Sequence, residues 1–245
     1  MNEVNNQIYE TYGERWYTAD DDPIALLRAE SKAKLPWVLN EIQKIGAKNK
    51  QTVLDVGCGG GFLSNALAQN GLAVTGVDLS EESLRIAKAH DITGTIQYLP
   101  ADAYHLPFAD QSFDVVTAMD FLEHVERPAD VVKECARVLK PGGILIYHTF
   151  NRNWLAWIVI IKLVEWLVKN TPKDMHILRL FIKPKELENF CSEAGLSVQS
   201  VTGLRPVIMS LTLKSLFSGV VPKTMKFKTT PSTLLSYMGC AKKNC

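Results

Sequence analysis

The sequence predicts an α/β fold built on a doubly wound, mostly parallel sheet, with a helical extension before it and an insertion towards its C-terminal end. Short apolar runs alternate with helical segments between residues 52 and 150. Strands that are buried on both faces appear as continuous apolar runs, so this alternation indicates parallel strands with helices on both sides. The composition, with 47% hydrophobic and 22% charged residues among 245, is typical of a globular protein and excludes collagen, coiled coils and wholesale disorder.

Local signals set the boundaries of the predicted elements. The helix at residues 62–69 ends at Asn70-Gly71, and the next begins after Ser80, an N-cap followed by two acidic residues. Seven strands are predicted, at residues 52–56, 73–77, 95–99, 113–118, 144–150, 197–203 and 233–241. Helices are predicted within residues 1–50, at 62–69, after Ser80, and at 128–139, 154–168 and 184–194.

Charge is distributed unevenly along the chain. Residues 1–151 hold 13 Lys/Arg and 21 Asp/Glu, a balance of −8, whereas the remaining residues hold 14 and 5, a balance of +9. Residues 205–245 contain no acidic side chain, while Lys214 and six other basic residues lie there. This asymmetry predicts either a basic surface for an anionic partner, such as nucleic acid or a membrane leaflet, or a solvated face that the acidic half balances.

The N-terminus and the cysteines indicate the compartment. The first residues lack the basic and then apolar order of a signal peptide, so we expect a cytoplasmic protein. Five cysteines occur without metal-ligand spacing, which predicts reduced thiols rather than a disulfide framework. They are Cys58, Cys135, Cys191, Cys240 and Cys245.

A glycine cluster follows the first strand directly, where residues 53–61 read Val-Leu-Asp-Val-Gly-Cys-Gly-Gly-Gly. Glycines such as Gly57 and Gly59 let a ligand approach the backbone closely at the start of a helix. Asp78 ends the second strand, where a carboxylate can accept hydrogen bonds from ribose hydroxyls, and Asp102 follows the third, where it can meet an adenine amino group. A nucleotide-like ligand is therefore predicted at this edge of the sheet.

Two ligands, NAD and S-adenosylmethionine, fit such a turn. Asp55 lies on the strand just before the glycines and offers an acceptor near the turn. That acceptor suits the cationic amino group of an amino acid better than it suits a diphosphate. Asp55 therefore favours S-adenosylmethionine.

The same stretch, together with Phe-Asp-Val-Val at residues 113–116 and Leu-Lys-Pro-Gly-Gly at 139–143, resembles the class I S-adenosylmethionine-dependent methyltransferases. The resemblance implies a Rossmann-like fold with a cofactor-binding core at residues 51–151. It also implies a helical cap at 1–50 and a segment at 152–245 that supplies an apolar helix, a substrate cover and closing strands. The implied cofactor residues are Gly57, Gly59 and Asp55 at the methionine part, Lys34 at its carboxylate, Asp78 at the ribose, Asp102 and Ala103 at the adenine, and Met119 near the sulfonium.

A narrower resemblance, to the ubiquinone-pathway O-methyltransferases, rests on four motifs. These are Asp-Phe-Leu-Glu-His-Val at residues 120–125, Phe-Asn-Arg-Asn at 150–153, Phe-Ile-Lys-Pro-x-Glu-Leu at 181–187 and Val-Thr-Gly-Leu at 201–204. It implies methylation of a phenolic hydroxyl on a polyprenylated catechol or quinol, which is a lipophilic substrate. Three departures distinguish this chain: Ile177 replaces an Asp of the family, Lys34 replaces an Arg, and residues 204–231 form a longer segment.

Methyl transfer to a phenol requires a means of ionising it. A hydroxyl with a pKa near 10 needs a base or a metal near neutral pH. Glu123 and His124 follow the fourth strand and are the catalytic candidates. With Asp120 they could bind a divalent cation such as Mg²⁺, as the resemblance implies for some members, or they could simply be polar residues that open a helix. His148 and His176 are further candidates for the base.

Residues 154–168 form a strongly apolar run with three tryptophans. The run is too short and too charged to span a bilayer, which takes roughly 20 apolar residues. Basic flanks and the acid-free tail favour a helix lying on a membrane, which suits a prenylated substrate, although a lid packed on the sheet would be equally apolar. A continuous aliphatic run does not suit nucleic acid, so none is expected as a partner, whereas a biosynthetic complex is.

Three alternatives remain open at this level. The acceptor could be another small molecule or lipid, such as a carboxylate or a fatty-acyl chain. The chain could also methylate RNA, or bind the cofactor without turnover.

Overall fold

The computed structural model describes residues 5–46, 50–210 and 218–244, and it confirms the α/β class. The described strands form one eight-stranded sheet in the order β3-β2-β1-β4-β5-β8-β6-β7. The strands are β1 (Thr52–Val56), β2 (Ala73–Asp78), β3 (Gln97–Pro100), β4 (Phe113–Met119), β5 (Leu139–Phe150), β6 (Leu196–Pro206), β7 (Phe227–Thr230) and β8 (Ser236–Lys243).

The sheet has a parallel part and an antiparallel part. The neighbours from β3 to β5 are all parallel, whereas β8 pairs antiparallel with both β5 and β6, and β7 pairs antiparallel with β6. The chain order reverses between β1 and β4. Crossovers leave a crevice at the carboxyl ends of the strands at such a point, so the topology predicts a ligand site there.

Polar side chains cap some of the helices at their first turn. Asp22 caps α2 by accepting a hydrogen bond from the Ile24 amide (3.0 Å), and Pro23 occupies the first turn. Ser80 caps α4 through the Ser83 amide (3.1 Å), as the sequence predicts. The helices are α1 (Arg15–Thr18), α2 (Pro23–Gln43), α3 (Phe62–Gln69), α4 (Glu81–Ala89), α5 (Pro128–Val138), α6 (Trp154–Ala156), α7 (Leu163–Leu167) and α8 (Pro184–Glu193).

Apolar layers cover both faces of the sheet. On one face α5 and α8 pack around residues such as Val116, Leu145 and Leu187, and on the other α2 and α3 pack around residues such as Val38 and Leu67. These side chains are almost wholly buried, and each such burial stabilises the fold by about 1.5–3 kcal/mol. The two layers hold the strand ends in fixed register.

Several strand boundaries differ from the predictions: β5 begins at Leu139 rather than residue 144, and β6 ends at Pro206 rather than residue 203. The third strand begins at Gln97 rather than residue 95, and the last runs over Ser236–Lys243 rather than 233–241. The eighth strand, β7, was not predicted, because its four residues alternate too briefly to show a period. Residues 154–168 are helical as predicted, but Trp157–Lys162 between α6 and α7 is a π-helix.

Most of the cysteines lie within the described residues. Cys58, Cys135, Cys191 and Cys240 are free thiols, whereas Cys245 and Lys214 lie outside the described residues. None of the helices within the described ranges combines the length and the hydrophobicity that crossing a bilayer requires.

Candidate active site

The glycine turn after β1 forms the floor of a cavity. Gly57 and Gly59 have φ angles of 68° and 49°, in the left-handed region that glycine tolerates best. A Cβ atom on Gly57 would lie 2.1 Å from Cδ2 of Phe121, so no larger residue fits. The Gly57 and Cys58 amides donate to the Val77 carbonyl at 2.9 and 3.0 Å, which fixes the turn against β2.

The two acids beside this turn play different parts. Asp78 accepts hydrogen bonds from the Gly59 amide (2.8 Å) and the Ser80 amide (2.9 Å). Burial raises the pKa of Asp78 and outweighs these hydrogen bonds, which lower it. Asp55 is 2% exposed, and it accepts from the Ser64 and Thr117 hydroxyls, each at 2.6 Å. Burial raises the pKa of Asp55 to about 6. These two hydroxyl partners carried no signal in the sequence.

All eight residues predicted to bind the cofactor line one cavity of about 340 Å³. Asp102 lies at its rim, with a half-exposed side chain that accepts from the Tyr104 amide at 2.9 Å. Ala103 is buried beside it, and Met119 ends β4. The predicted residues in this first cavity are Lys34, Asp55, Gly57, Gly59, Asp78, Asp102, Ala103 and Met119.

Aromatic side chains of the N-terminal segment lie over the first cavity, and the sequence analysis did not assign them to the site. The Trp16 ring lies so close to the glycine turn that a Cβ on Gly60 would be 2.6 Å from it. Tyr9 stacks on Trp16 with 5.8 Å between ring centroids, and burial raises the pKa of Tyr9. The run of aromatics in residues 9–17 was the available signal, since aromatic rings next to a glycine turn can form a lid.

A second cavity, of about 210 Å³, adjoins the first. Aliphatic side chains of the 154–168 segment, among them Ile160 and Val164, form one side of it, and Val221 and Met225 contribute from residues 220–227. The residues that line both cavities are Tyr9, Leu27, Asp120 and His124.

Lys34 lies at the junction of the cavities and is 2% exposed. Its Nζ is 2.6 Å from each oxygen of Asp120, 3.1 Å from Oε2 of Glu30 and 3.1 Å from Nδ1 of His148. Burial alone would lower the pKa of Lys34, but the charges of Asp120 and Glu30 raise it. Burial would likewise raise the pKa of Asp120, but Lys34 and His148 hold it well below its usual range.

The catalytic candidates lie behind and beside this junction. Glu123 is fully buried, its Oε2 accepts from the Thr149 hydroxyl at 2.8 Å, and burial followed by the Asp120 charge raises its pKa to about 8. His124 faces both cavities, and burial lowers its pKa to about 4. The His176 ring lies 5.2 Å from that of His124, and burial lowers its pKa to about 3.

Of the three predicted cation ligands, only Asp120 belongs to a cluster of potential ligand atoms. Within the described ranges, the one group that brings three potential ligand atoms within 4.8 Å of one another is Glu30, Asp120 and His148. Asp120 belongs to this group, but Glu123 and His124 do not. Two of the buried polar atoms that have no partner in the described structure are Oε1 of Glu123 and Nδ1 of His124.

Known proteins resemble this chain in sequence and in fold. A family model described as a methyltransferase domain matches residues 54–147. A ubiquinone biosynthesis O-methyltransferase from Pseudomonas putida is 36% identical over 80% of this chain and 84% of its own length. One from Klebsiella pneumoniae is 34% identical over 94% of this chain and 89% of its own length.

Solved structures share the fold at lower identity. The magnesium protoporphyrin IX methyltransferase of Synechocystis is 18% identical, with a TM-score of 0.61, covering 99% of this chain and 90% of its own. An S-adenosylmethionine-dependent methyltransferase from Thermotoga maritima is 22% identical, with a TM-score of 0.60, covering 97% and 98%. By its sequence, its fold and the motifs at the sheet edge, this chain belongs to the ubiquinone biosynthesis O-methyltransferases, which are S-adenosylmethionine-dependent enzymes of class I.

Proposed function

We propose that this chain methylates a phenolic hydroxyl of a polyprenylated catechol or quinol in ubiquinone biosynthesis, with S-adenosylmethionine as the methyl donor. The observation that carries the proposal is the second cavity, which is lined mainly by aliphatic side chains and adjoins the first. An apolar cavity that opens on a nucleotide-type cavity suits a prenylated ring whose polar edge must reach the methyl donor. Family membership supports the same substrate class.

The first cavity is proposed to bind S-adenosylmethionine. The glycine turn would meet the methionine part through Gly57 and Gly59, and Met119 would lie near the sulfonium. Asp78 would accept hydrogen bonds from the ribose, which its ionised form makes stronger. Asp55 would act on the amino group, Lys34 on the carboxylate, and Asp102 with Ala103 on the adenine. These assignments rest on their common cavity.

Methyl transfer requires that the phenol oxygen be aligned with the methyl carbon and that the phenol lose its proton. S-adenosylmethionine supplies the methyl group and the sulfur leaving group. Asp120 and His124, on the wall shared by the cavities, would hold the hydroxyl in line with the methyl carbon. Burial lowers the pKa of His124 to about 4, so its neutral ring would accept the phenol proton. Glu123, the second catalytic candidate, is buried behind this wall and contacts the Thr149 hydroxyl.

We further propose that Asp120, Glu123 and His124 can hold a divalent cation such as Mg²⁺. The orphaned Oε1 of Glu123 and Nδ1 of His124 support this, because an unpartnered buried polar atom costs about 1–3 kcal/mol that a ligand would recover. A bound cation would polarise the phenol oxygen and lower its pKa. Lys34 must leave Asp120 before a cation can bind it, since both oxygens face its ammonium.

The outer face of the 154–168 segment is proposed to touch the cytoplasmic face of a membrane. Trp154, Trp157 and Trp166 are 72%, 40% and 71% exposed, whereas aliphatic neighbours on the same segment line the second cavity. Exposed tryptophans with basic flanks are typical of interfacial helices. The same helix would then face lipid on one side and the prenylated substrate on the other. Docking into a biosynthetic complex is proposed for this face as well.

Two experiments test the function. Cells that lack the protein should accumulate the unmethylated, lipid-soluble catechol, which extraction and mass spectrometry would detect. The purified protein should transfer label from S-adenosylmethionine to a prenylated catechol at least about tenfold faster than to the same ring without a tail, since a buried isoprene unit contributes several CH₂ equivalents of about 0.8 kcal/mol. Faster transfer to a fatty acid or to tRNA would overturn the assignment.

A further inference from the structure

Lys34 connects the two cavities chemically. Its side chain lines the first cavity, but the two acids that its ammonium contacts, Asp120 and Glu30, both line the second. It comes from α2, so a rigid helix holds the stem while the ammonium is shared. The Lys34 ammonium therefore forms ion pairs with carboxylates of the second cavity, although Lys34 itself lines the first.

Asp120 is fully engaged in this arrangement. Each of its oxygens is 2.6 Å from Nζ of Lys34, and one of them also contacts the His148 ring. Asp120 has a φ of +55°, a left-handed conformation that Asp adopts more readily than most residues other than glycine. While the ammonium stays in place, Asp120 offers no unshared oxygen to an acceptor.

A free amino-acid carboxylate in the first cavity would compete for the same ammonium. Lys34 has three N–H donors, and the two oxygens of Asp120 together with Oε2 of Glu30 occupy them. We propose that Lys34 acts as a switch: it pairs with the carboxylate of the bound cofactor and thereby releases Asp120 to face the acceptor cavity. The proposal rests on the assignment of S-adenosylmethionine to the first cavity.

Thermodynamic reciprocity makes the switch measurable without an acceptor. If cofactor binding must pull Lys34 from Asp120, then Asp120 weakens the binding of any ligand that carries the carboxylate. A ligand with the nucleoside alone escapes this competition. Two probes differ in that one respect: S-adenosylhomocysteine carries the amino acid, and 5′-methylthioadenosine lacks it.

The experiment is calorimetry of both probes, with a chelator present so that metal plays no part. Asp120→Asn should bind S-adenosylhomocysteine about 5–150-fold more tightly than the wild type, the range of ordinary coupling energies, with unchanged binding of 5′-methylthioadenosine. Glu30→Gln should act in the same direction and less, because its contact is longer. In a Lys34→Met background, Asp120→Asn should have no effect on either probe.

Lys44 provides the matched control. It lies at the end of the same helix and pairs with Glu41 at 2.6 Å, so Lys44→Met removes an ion pair without touching the cavities. Thermal melts check that each variant is folded. Unchanged or weaker binding of S-adenosylhomocysteine by both Asp120→Asn and Glu30→Gln, or a gain that persists without Lys34, would overturn the switch. If neither probe binds any variant, the cofactor assignment itself fails.

Discussion

The two cavities are built by different means. The floor of the first cavity is formed by a backbone turn and by polar groups at the ends of adjacent parallel strands, and local sequence motifs mark these positions. The second is formed by side chains from α2, the 154–168 segment and residues 220–227, which are far apart in the chain. Backbone geometry tolerates little variation, whereas an aliphatic wall can change size. The difference predicts that changes to one cavity can be separated from changes to the other, and this can be tested.

The largest effect is expected for Gly57→Ala. The new Cβ would collide with the Phe121 ring at a left-handed φ, so we expect about a 100-fold or greater loss of S-adenosylhomocysteine affinity and about 3 kcal/mol less stability. Gly71→Ala is the control: its φ is 87° but a Cβ there meets nothing within 4 Å. It should lower stability by about 1–2 kcal/mol and leave the affinity intact. Calorimetry and denaturant unfolding measure both, and equal affinity losses would contradict the close-approach argument.

Val164→Trp tests the second cavity. The larger side chain would fill part of the volume proposed for the acceptor, so kcat/KM for the prenylated acceptor should fall by about 5- to 150-fold, which corresponds to about 1–3 kcal/mol of lost binding. Binding of S-adenosylhomocysteine should be unchanged. Glu165→Trp, next along the helix and paired with Lys162 outside the cavity, should leave kcat/KM near the wild-type value. Equal losses in the two variants would show that the cavities are not separable.

His124, on the shared wall, predicts a pH dependence of stability. Its pKa is lowered to about 4 in the fold, against about 6.5 when unfolded. The unfolded state therefore binds more protons between these values, and stability is lost as pH falls from 6.5 towards 4. His124→Gln should lose about 2 kcal/mol less over that window, measured by urea unfolding. His105→Gln, whose side chain is 83% exposed, is the control, and an unchanged slope in His124→Gln would refute the effect.

Asp78→Asn should have the smallest effect, and that effect should be confined to the first cavity. The amide keeps one acceptor but loses the charge, so S-adenosylhomocysteine affinity should fall by about 1–2 kcal/mol, or about 5–30-fold. The KM for the acceptor should not change at saturating cofactor. A change in acceptor KM without a change in cofactor affinity would place Asp78 outside the cofactor site.

The parallel half of the fold was accessible to sequence reasoning because its signals are local. Apolar runs gave β1, β2 and β4 nearly to the residue, and Ser80 marked its helix. The edge strand β7 carried no such signal, since pairing with β6 rather than its own pattern makes it a strand. The π-helical turn at Trp157–Lys162 likewise depends on packing that no helical period reveals.

The site divides in the same way. Residues at strand ends could be predicted, because parallel strands end at one edge of the sheet. The contact of Lys34 with Asp120 joins positions 86 residues apart, and the contact of Ser64 with Asp55 joins a helix to a buried strand. Neither spacing follows a local period, so only the fold brings these partners together. The aromatic cover formed by Tyr9 and Trp16 was missed for that reason too.

The wall shared by the two cavities limits how such an enzyme could diverge. Tyr9, Leu27, Asp120 and His124 line both cavities, so under the proposed assignment a substitution that suits a new acceptor at any of them would also disturb the methyl donor. Positions that line only the second cavity, such as Val164, Leu167 and Met225, would carry no such penalty. Natural variation in acceptor size and shape should therefore accumulate in residues 159–168 and 220–227, while the four shared positions stay the same across relatives with different acceptors.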